Sequence, residues 1–110
     1  MATFVFIGLS GKRYTYSIVP ANEAMHLPLQ AGNYLFASGD AVTPIPVFIN
    51  QAASIRKSFL DLNFWPIAQR VHYATLLYLH VDLEQNLAAR EAEQMDLIAA
   101  YSPPMNSTGA

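Results

Sequence analysis

From Thr3 to Val19 the chain is dominated by β-branched and aromatic residues, interrupted at Ser10-Gly11-Lys12. That pattern predicts two strands, Thr3–Leu9 and Arg13–Val19, joined by a short Gly-bearing hairpin, with Tyr14, Tyr16 and Ile18 on one face. Pro20 to Gln30 carries Pro20, Asn22 and Pro28 without a clear period and reads as a connector. Tyr34-Leu35-Phe36-Ala37, the polar turn Ser38-Gly39-Asp40, and Ile45 to Ile49 predict a second hairpin with a longer loop. Pro46 there marks an edge strand or a strand start, because it has no N–H to donate to a ladder.

The period changes at Gln51. Ala52, Ile55, Phe59 and Leu62 fall at helical spacing, Asn63 and Pro66 end or turn that segment, and a short second helix runs through Ile67 and Val71. Tyr73 to Val81 is apolar almost throughout and too short for a buried helix, so it predicts a buried strand. Leu83 to Tyr101, rich in Ala, Glu, Gln and Leu, predicts a long helix. Asp82 with Gln85 forms a loose capping box, and Asn86 is an alternative start. Ser102-Pro103-Pro104 stops the helix, and 107–110 reads as a frayed tail. On this helix Leu87, Glu91, Gln94, Ile98 and Tyr101 share a stripe that Glu91 and Gln94 interrupt. Either the stripe drifts and Met95 and Leu97 carry the packing, or these polar groups face a site on the sheet.

Composition narrows the function classes. With 110 residues the chain makes one domain. Apolar residues are 53% and charged residues only 13%, the latter about half the roughly 25% usual in soluble domains. A surface that neutral points to self-association or a protein partner. The net charge of −2 provides no field for non-specific DNA binding, so nucleic-acid affinity would have to be weak and local. The lack of cysteine excludes disulfides and thiolate chemistry. The amino terminus has no basic n-region, and no apolar run approaches the ~18 residues of a membrane span. A cytoplasmic protein without a membrane association is the expectation.

Several residues, taken in order, resemble the anchors of the GIY-YIG nuclease domain. They are Gly32-Asn33-Tyr34, Phe48-Ile49-Asn50, Ile55 on the following helix, and Leu97-Ile98 with Pro103 and Asn106. The chain is most similar to a bacterial branch of small single-domain members in which an added amino-terminal hairpin precedes a GNYxFA strand. The resemblance covers 32–106 as the core and 1–20 as the added hairpin. It implies an α+β fold, a small antiparallel sheet flanked by helices. It also implies DNA cleavage by single-metal phosphodiester hydrolysis. In that family a Tyr pair and a water move protons, an Arg on the helix after the second Tyr holds the phosphate, and a Glu on the later helix binds the metal. A hard divalent cation needs carboxylate oxygen, and a phosphate needs a fixed guanidinium.

Carried over residue by residue, the chemistry is missing. Tyr34 stands at the first Tyr position, but Phe48, without a hydroxyl, stands at the second. The Arg position falls at Ser58, the His that often follows it at Leu62, and the metal-binding Glu at Gln94, whose amide offers no charge. Asn50 replaces the Gly that ends the second motif. Three neighbours are possible substitutes. Arg56 lies about 200° around the helix from Ser58, and Glu93 about 100° from Gln94. Glu91 lies one turn back on the Gln94 stripe and would displace a metal by about 5 Å.

The resulting expectation is a catalytically degenerate GIY-YIG-like domain working as a binding or interaction module, with no cofactor or metal (Glu91 as the ligand if any). Its partner would be a protein or a second copy rather than DNA. The alternative is a metal-dependent endonuclease using Tyr34 with Glu91 or Glu93 and Mg²⁺ or Mn²⁺. A third reading is an obligate dimer with a structural role. Other constellations are weaker. His26, His72 and His80 lack metal-triad spacing, Ser10-Gly11-Lys12 is too short for a phosphate loop, and Arg56, Lys57 and Arg70 read as a solvated helix face. Trp65, between Phe64 and Pro66, reads as core at a helix junction.

Overall fold

The structure, a computed structural model, describes residues 2–106; the tail expected at 107–110 lies outside the described residues. Five strands form one antiparallel sheet: β1 (Thr3–Ile7), β2 (Arg13–Val19), β3 (Gly32–Gly39), β4 (Pro44–Ala52) and β5 (Leu76–His80), in the order β1-β2-β5-β3-β4. Helices α1 (Ile55–Leu62), α2 (Trp65–His72) and α3 (Leu87–Tyr101) complete an α+β fold, with 3-10 turns at Ala21–His26 and Pro104–Asn106. Among the described residues no helix is long and apolar enough to cross a membrane.

Side-chain alternation along the strands divides the interior in two. On one face Tyr34, Phe36, Phe48 and Leu77 meet Ile55, Phe59, Trp65 and Ala68 of α1 and α2. Phe36 is the hub, with ring centres 4.9 Å from Trp65, 5.4 Å from Phe48 and 5.9 Å from Phe59. Trp65 is therefore core, as its position between Phe64 and Pro66 suggested. On the other face Phe6, Tyr16, Leu35, Ile49 and Tyr78 pack beneath Leu97 of α3. Phe6 lies edge-on to Tyr16, Tyr78 and Tyr101, an arrangement the ring quadrupoles favour.

The element boundaries moved where tertiary contacts overrode local pattern. β1 ends at Ile7 rather than Leu9 because the turn is pulled onto α3. Ser10 donates its N–H (2.9 Å) and hydroxyl (2.6 Å) to the Asp96 carboxylate, and Leu9 donates its N–H to the Asp96 carbonyl. Gly8 lies so close that an added Cβ would sit 2.0 Å from an Asp96 carboxylate oxygen. β4 continues through Ala52, so the helix begins only at Ile55, with Ser54 as its N-cap. Pro46 lies on an edge strand, beside a bulge that inserts Val47 between the pairs Phe36↔Phe48 and Ala37↔Pro46. β5 is shorter than 73–81 because Tyr73 closes α2 in the left-handed conformation, φ 58°. α3 starts at the alternative cap, Asn86, whose side chain accepts from Ala89 N–H at 2.8 Å. Asp82 instead closes a turn with Glu84 and Gln85.

Candidate functional site

β3, β4 and α1 bring Tyr34, Asn50 and Ser58 together beside an open cleft. The cleft, about 310 Å³, is lined by residues 51–54 with Lys57, Ser58 and Asp61. Tyr34 Oη and Ser58 Oγ are 2.8 Å apart, and Asn50 Nδ2 donates to both at 3.3 Å. Tyr34 is almost fully buried, and burial pushes its phenol up, opposed by the hydrogen bonds from Asn50 and Ser58. Either hydroxyl can donate in the Tyr34–Ser58 contact, while the Asn50 amide donates to both oxygens. Phe48 lies alongside, its ring 6.2 Å from that of Tyr34. The four residues at the expected site are thus partly assembled: Tyr34, Phe48 and Ser58 meet, and Asn50 completes a neutral network.

Gln94 is elsewhere. Its side-chain oxygen accepts from Gln51 N–H at 2.8 Å, on the outer edge of β4. One turn beyond α3, Asn106 grips the same edge with two 2.7 Å bonds, accepting from Ile49 N–H and donating to Ile49 O. Both side chains occupy positions a sixth strand would take, which closes the edge. Gln94 therefore makes a backbone cap instead of packing on Phe48.

The possible substitutes are placed away from Tyr34. Arg56 turns off the site, as its helical angle predicted, and donates Nε–H to Leu27 O at 2.6 Å. Glu91 is exposed. Glu93 is 1% exposed and is buried on the opposite face of the sheet from Tyr34, against Tyr16. The buried face of α3 is Arg90, Glu93 and Leu97, so the Leu87–Glu91–Gln94 stripe is a correction. Leu87 and Glu91 are solvated, and Gln94 and Ile98 flank the true contact line.

Glu93 is the centre of the buried polar cluster that the sequence reading missed. Its carboxylate accepts from Tyr16 Oη at 2.6 Å, Gln85 Nε2 at 3.0 Å and His80 Nδ1 at 2.8 Å. The hydrogen bond to Glu93 raises the His80 imidazole above its usual range against the opposing effect of burial. Burial, then the Glu93 charge, holds the Tyr16 phenol well above its usual value. Arg90, one turn earlier, is also buried and donates to Gln85 O and Gln51 Oε1. The available signal was the spacing Arg90–Glu93–Leu97 together with a Tyr and a His on neighbouring strands. Among the described residues no group of three or more His, Cys, Asp or Glu side chains is gathered to hold a metal.

No family model, curated protein or solved structure matches the chain.

Proposed function

We propose that this chain is a GIY-YIG-like domain that has lost hydrolytic activity and works as a binding or interaction module. The observation that carries the reading is the neutral Tyr34–Asn50–Ser58 network, in which Ser58 stands at the position where the resemblance calls for a guanidinium; the position of the metal-binding carboxylate is Gln94, a neutral amide engaged with the Gln51 backbone. Support also comes from the other partners the neighbouring groups have taken: Arg56 on Leu27, Glu93 on Tyr16 and His80, and Gln94 on Gln51. The preferred partner is a protein surface, a second copy included. Charged residues are only 13% of the chain, and α2 shows solvent Ile67 and Val71, one turn apart, with Tyr73 beyond them.

The test is incubation of the purified chain with single-stranded, double-stranded and branched DNA in excess Mg²⁺ or Mn²⁺, beside Tyr34→Phe and Glu91→Ala. Calorimetric titration of the metal runs in parallel. The expected result is no cutting by a folded sample and no tight metal binding. Metal-dependent cutting that either substitution abolishes overturns the proposal and makes the chain an endonuclease with a rebuilt site.

A further inference from the structure

The two edges of the sheet are treated differently. β4 is closed by Asn106, by Gln94, and by Pro44 and Pro46 within the strand. β1 contains no proline, and side-chain capping reaches only its far end, at Ile7. The bonds from Ile18 N–H to Ala2 O and from Gly8 N–H to Lys12 O show that even-numbered residues of β1 direct their backbone groups to β2. By antiparallel alternation Thr3, Val5 and Ile7 direct theirs outward. Tyr101 Oη accepts from Ile7 N–H at 3.1 Å and covers that end. Thr3 and Val5 remain, and among the described residues their outward groups have no partner.

We infer that β1 pairs with β1 of a second copy, antiparallel about a two-fold axis at Phe4, to make a continuous ten-stranded sheet from two five-stranded ones. The register follows from what is free. Centring on Val5 sets Thr3 against the Ile7 whose N–H Tyr101 covers, and centring on Thr3 sets Val5 opposite position 1, outside the described residues. Among the described residues only the Phe4-centred register sets each Thr3 opposite the partner's Val5, which satisfies all four of their outward groups in each copy. Phe4 then meets its own counterpart in a non-hydrogen-bonded pair, the closer of the two cross-strand geometries. Its ring, half-buried and 4.7 Å from Phe6, continues the aromatic row across the junction. No side chain from Thr3 to Gly11 is charged, so two copies meet without like-charge repulsion at the seam, and no lysine or proline blocks the edge. This pairing is independent of the cleft, since a chain that cut DNA would pair in the same way.

The experiment is sedimentation equilibrium over a wide concentration range, with substitutions chosen by register. Wild type is expected to show a reversible monomer–dimer equilibrium. Val5→Pro removes only an outward N–H, which an edge strand tolerates. It is expected to raise the dimer dissociation constant about thirtyfold or more, the loss of two backbone hydrogen bonds. Because the chain has no cysteine, Phe4→Cys is expected to oxidise to a disulfide-linked dimer as the main species, and Ile7→Cys, far from the axis, is not. A wild type that stays monomeric at every concentration overturns the inference. So does a folded Val5→Pro that dimerises unchanged, or cross-linking through Ile7→Cys in preference to Phe4→Cys. If Val5→Pro fails to fold, the cysteine pair decides alone.

Discussion

Glu93 is buried and its carboxylate accepts three side-chain hydrogen bonds, so a change of a single atom there is expected to destabilise the fold. Replacing it by Gln keeps the shape and removes the charge. Three donors converge on the carboxylate, at 2.6 Å, 2.8 Å and 3.0 Å. A carboxamide offers one acceptor oxygen and places N–H groups at the other position, so the charge-assisted bonds from Tyr16 and His80 are lost and the cluster must reorganise, Gln85 turning its amide or His80 presenting a ring lone pair to meet the new donor. A hydrogen bond to a charged group contributes about 1.5–3 kcal/mol, and an orphaned buried donor costs a similar amount. The expected loss for Glu93→Gln is therefore about 2–3 kcal/mol, and about 3–5 kcal/mol for Glu93→Ala, which strands all three donors. The first value corresponds to a fall in Tm of about 10 °C or more.

The same substitution changes the pH dependence. His80 binds its proton more tightly folded than unfolded, chiefly through the Glu93 hydrogen bond. Its contribution to stability is complete below the unfolded value of 6.5 and is lost as pH rises through the raised folded value. Urea denaturation of wild type between about pH 6 and about pH 9 is expected to show falling stability, and Glu93→Gln is expected to flatten that slope. A Glu93→Gln protein that loses under about 0.5 kcal/mol, or that keeps the wild-type slope, would refute the reasoning.

Three further outcomes are expected. Tyr34→Phe and Ser58→Ala, each and together, give a coupling energy of about 1 kcal/mol in a double-mutant cycle by chemical denaturation; additive losses would show that their 2.8 Å contact contributes nothing. Asn106→Ala removes both bonds to Ile49 and lowers stability by about 2 kcal/mol. Hydrogen exchange of the Ile49 amide reports the exposed edge, and unchanged protection there would count against the capping role. Tyr73→Gly relieves a left-handed residue, φ 58°, that is 78% exposed and so loses little packing. A gain of about 0.5–1 kcal/mol by thermal melting is expected, and a loss would mean that the Tyr73 ring packs more than its exposure indicates.

Local pattern was enough to read much of the architecture. The β-branched runs of β1 and β2, the Gly-bearing turn between them, and the Ala- and Glu-rich α3 are specified by residues a few positions apart, so the sequence contains the cause. The edge position of β4 followed from Pro46, because a proline without an N–H is tolerated there. The network of Tyr34, Ser58 and Asn50 was legible only in part: all three residues were singled out along the chain, and the hydrogen bonds among them depend on how α1 lies across β3 and β4.

The role of α3 was not legible from its own residues. Helical spacing puts Leu87, Ile98 and Tyr101 on one stripe that Glu91 and Gln94 interrupt, yet the helix buries Arg90, Glu93 and Leu97. A charged group can be buried when distant partners compensate its desolvation, and these come from β2 and β5, where Tyr16 lies 77 residues away in sequence. In the same way Gln94 becomes an edge cap only because Gln51 N–H is the open side of a strand. Sequence by itself determined the order and type of the main strands and helices and that the chain would be sparsely charged and cysteine-free, since these depend on composition and neighbours. The tertiary structure alone decided which face of α3 is inside, which carboxylate is held by a histidine, and which sheet edge is left open, because each depends on groups that only folding brings within hydrogen-bond reach.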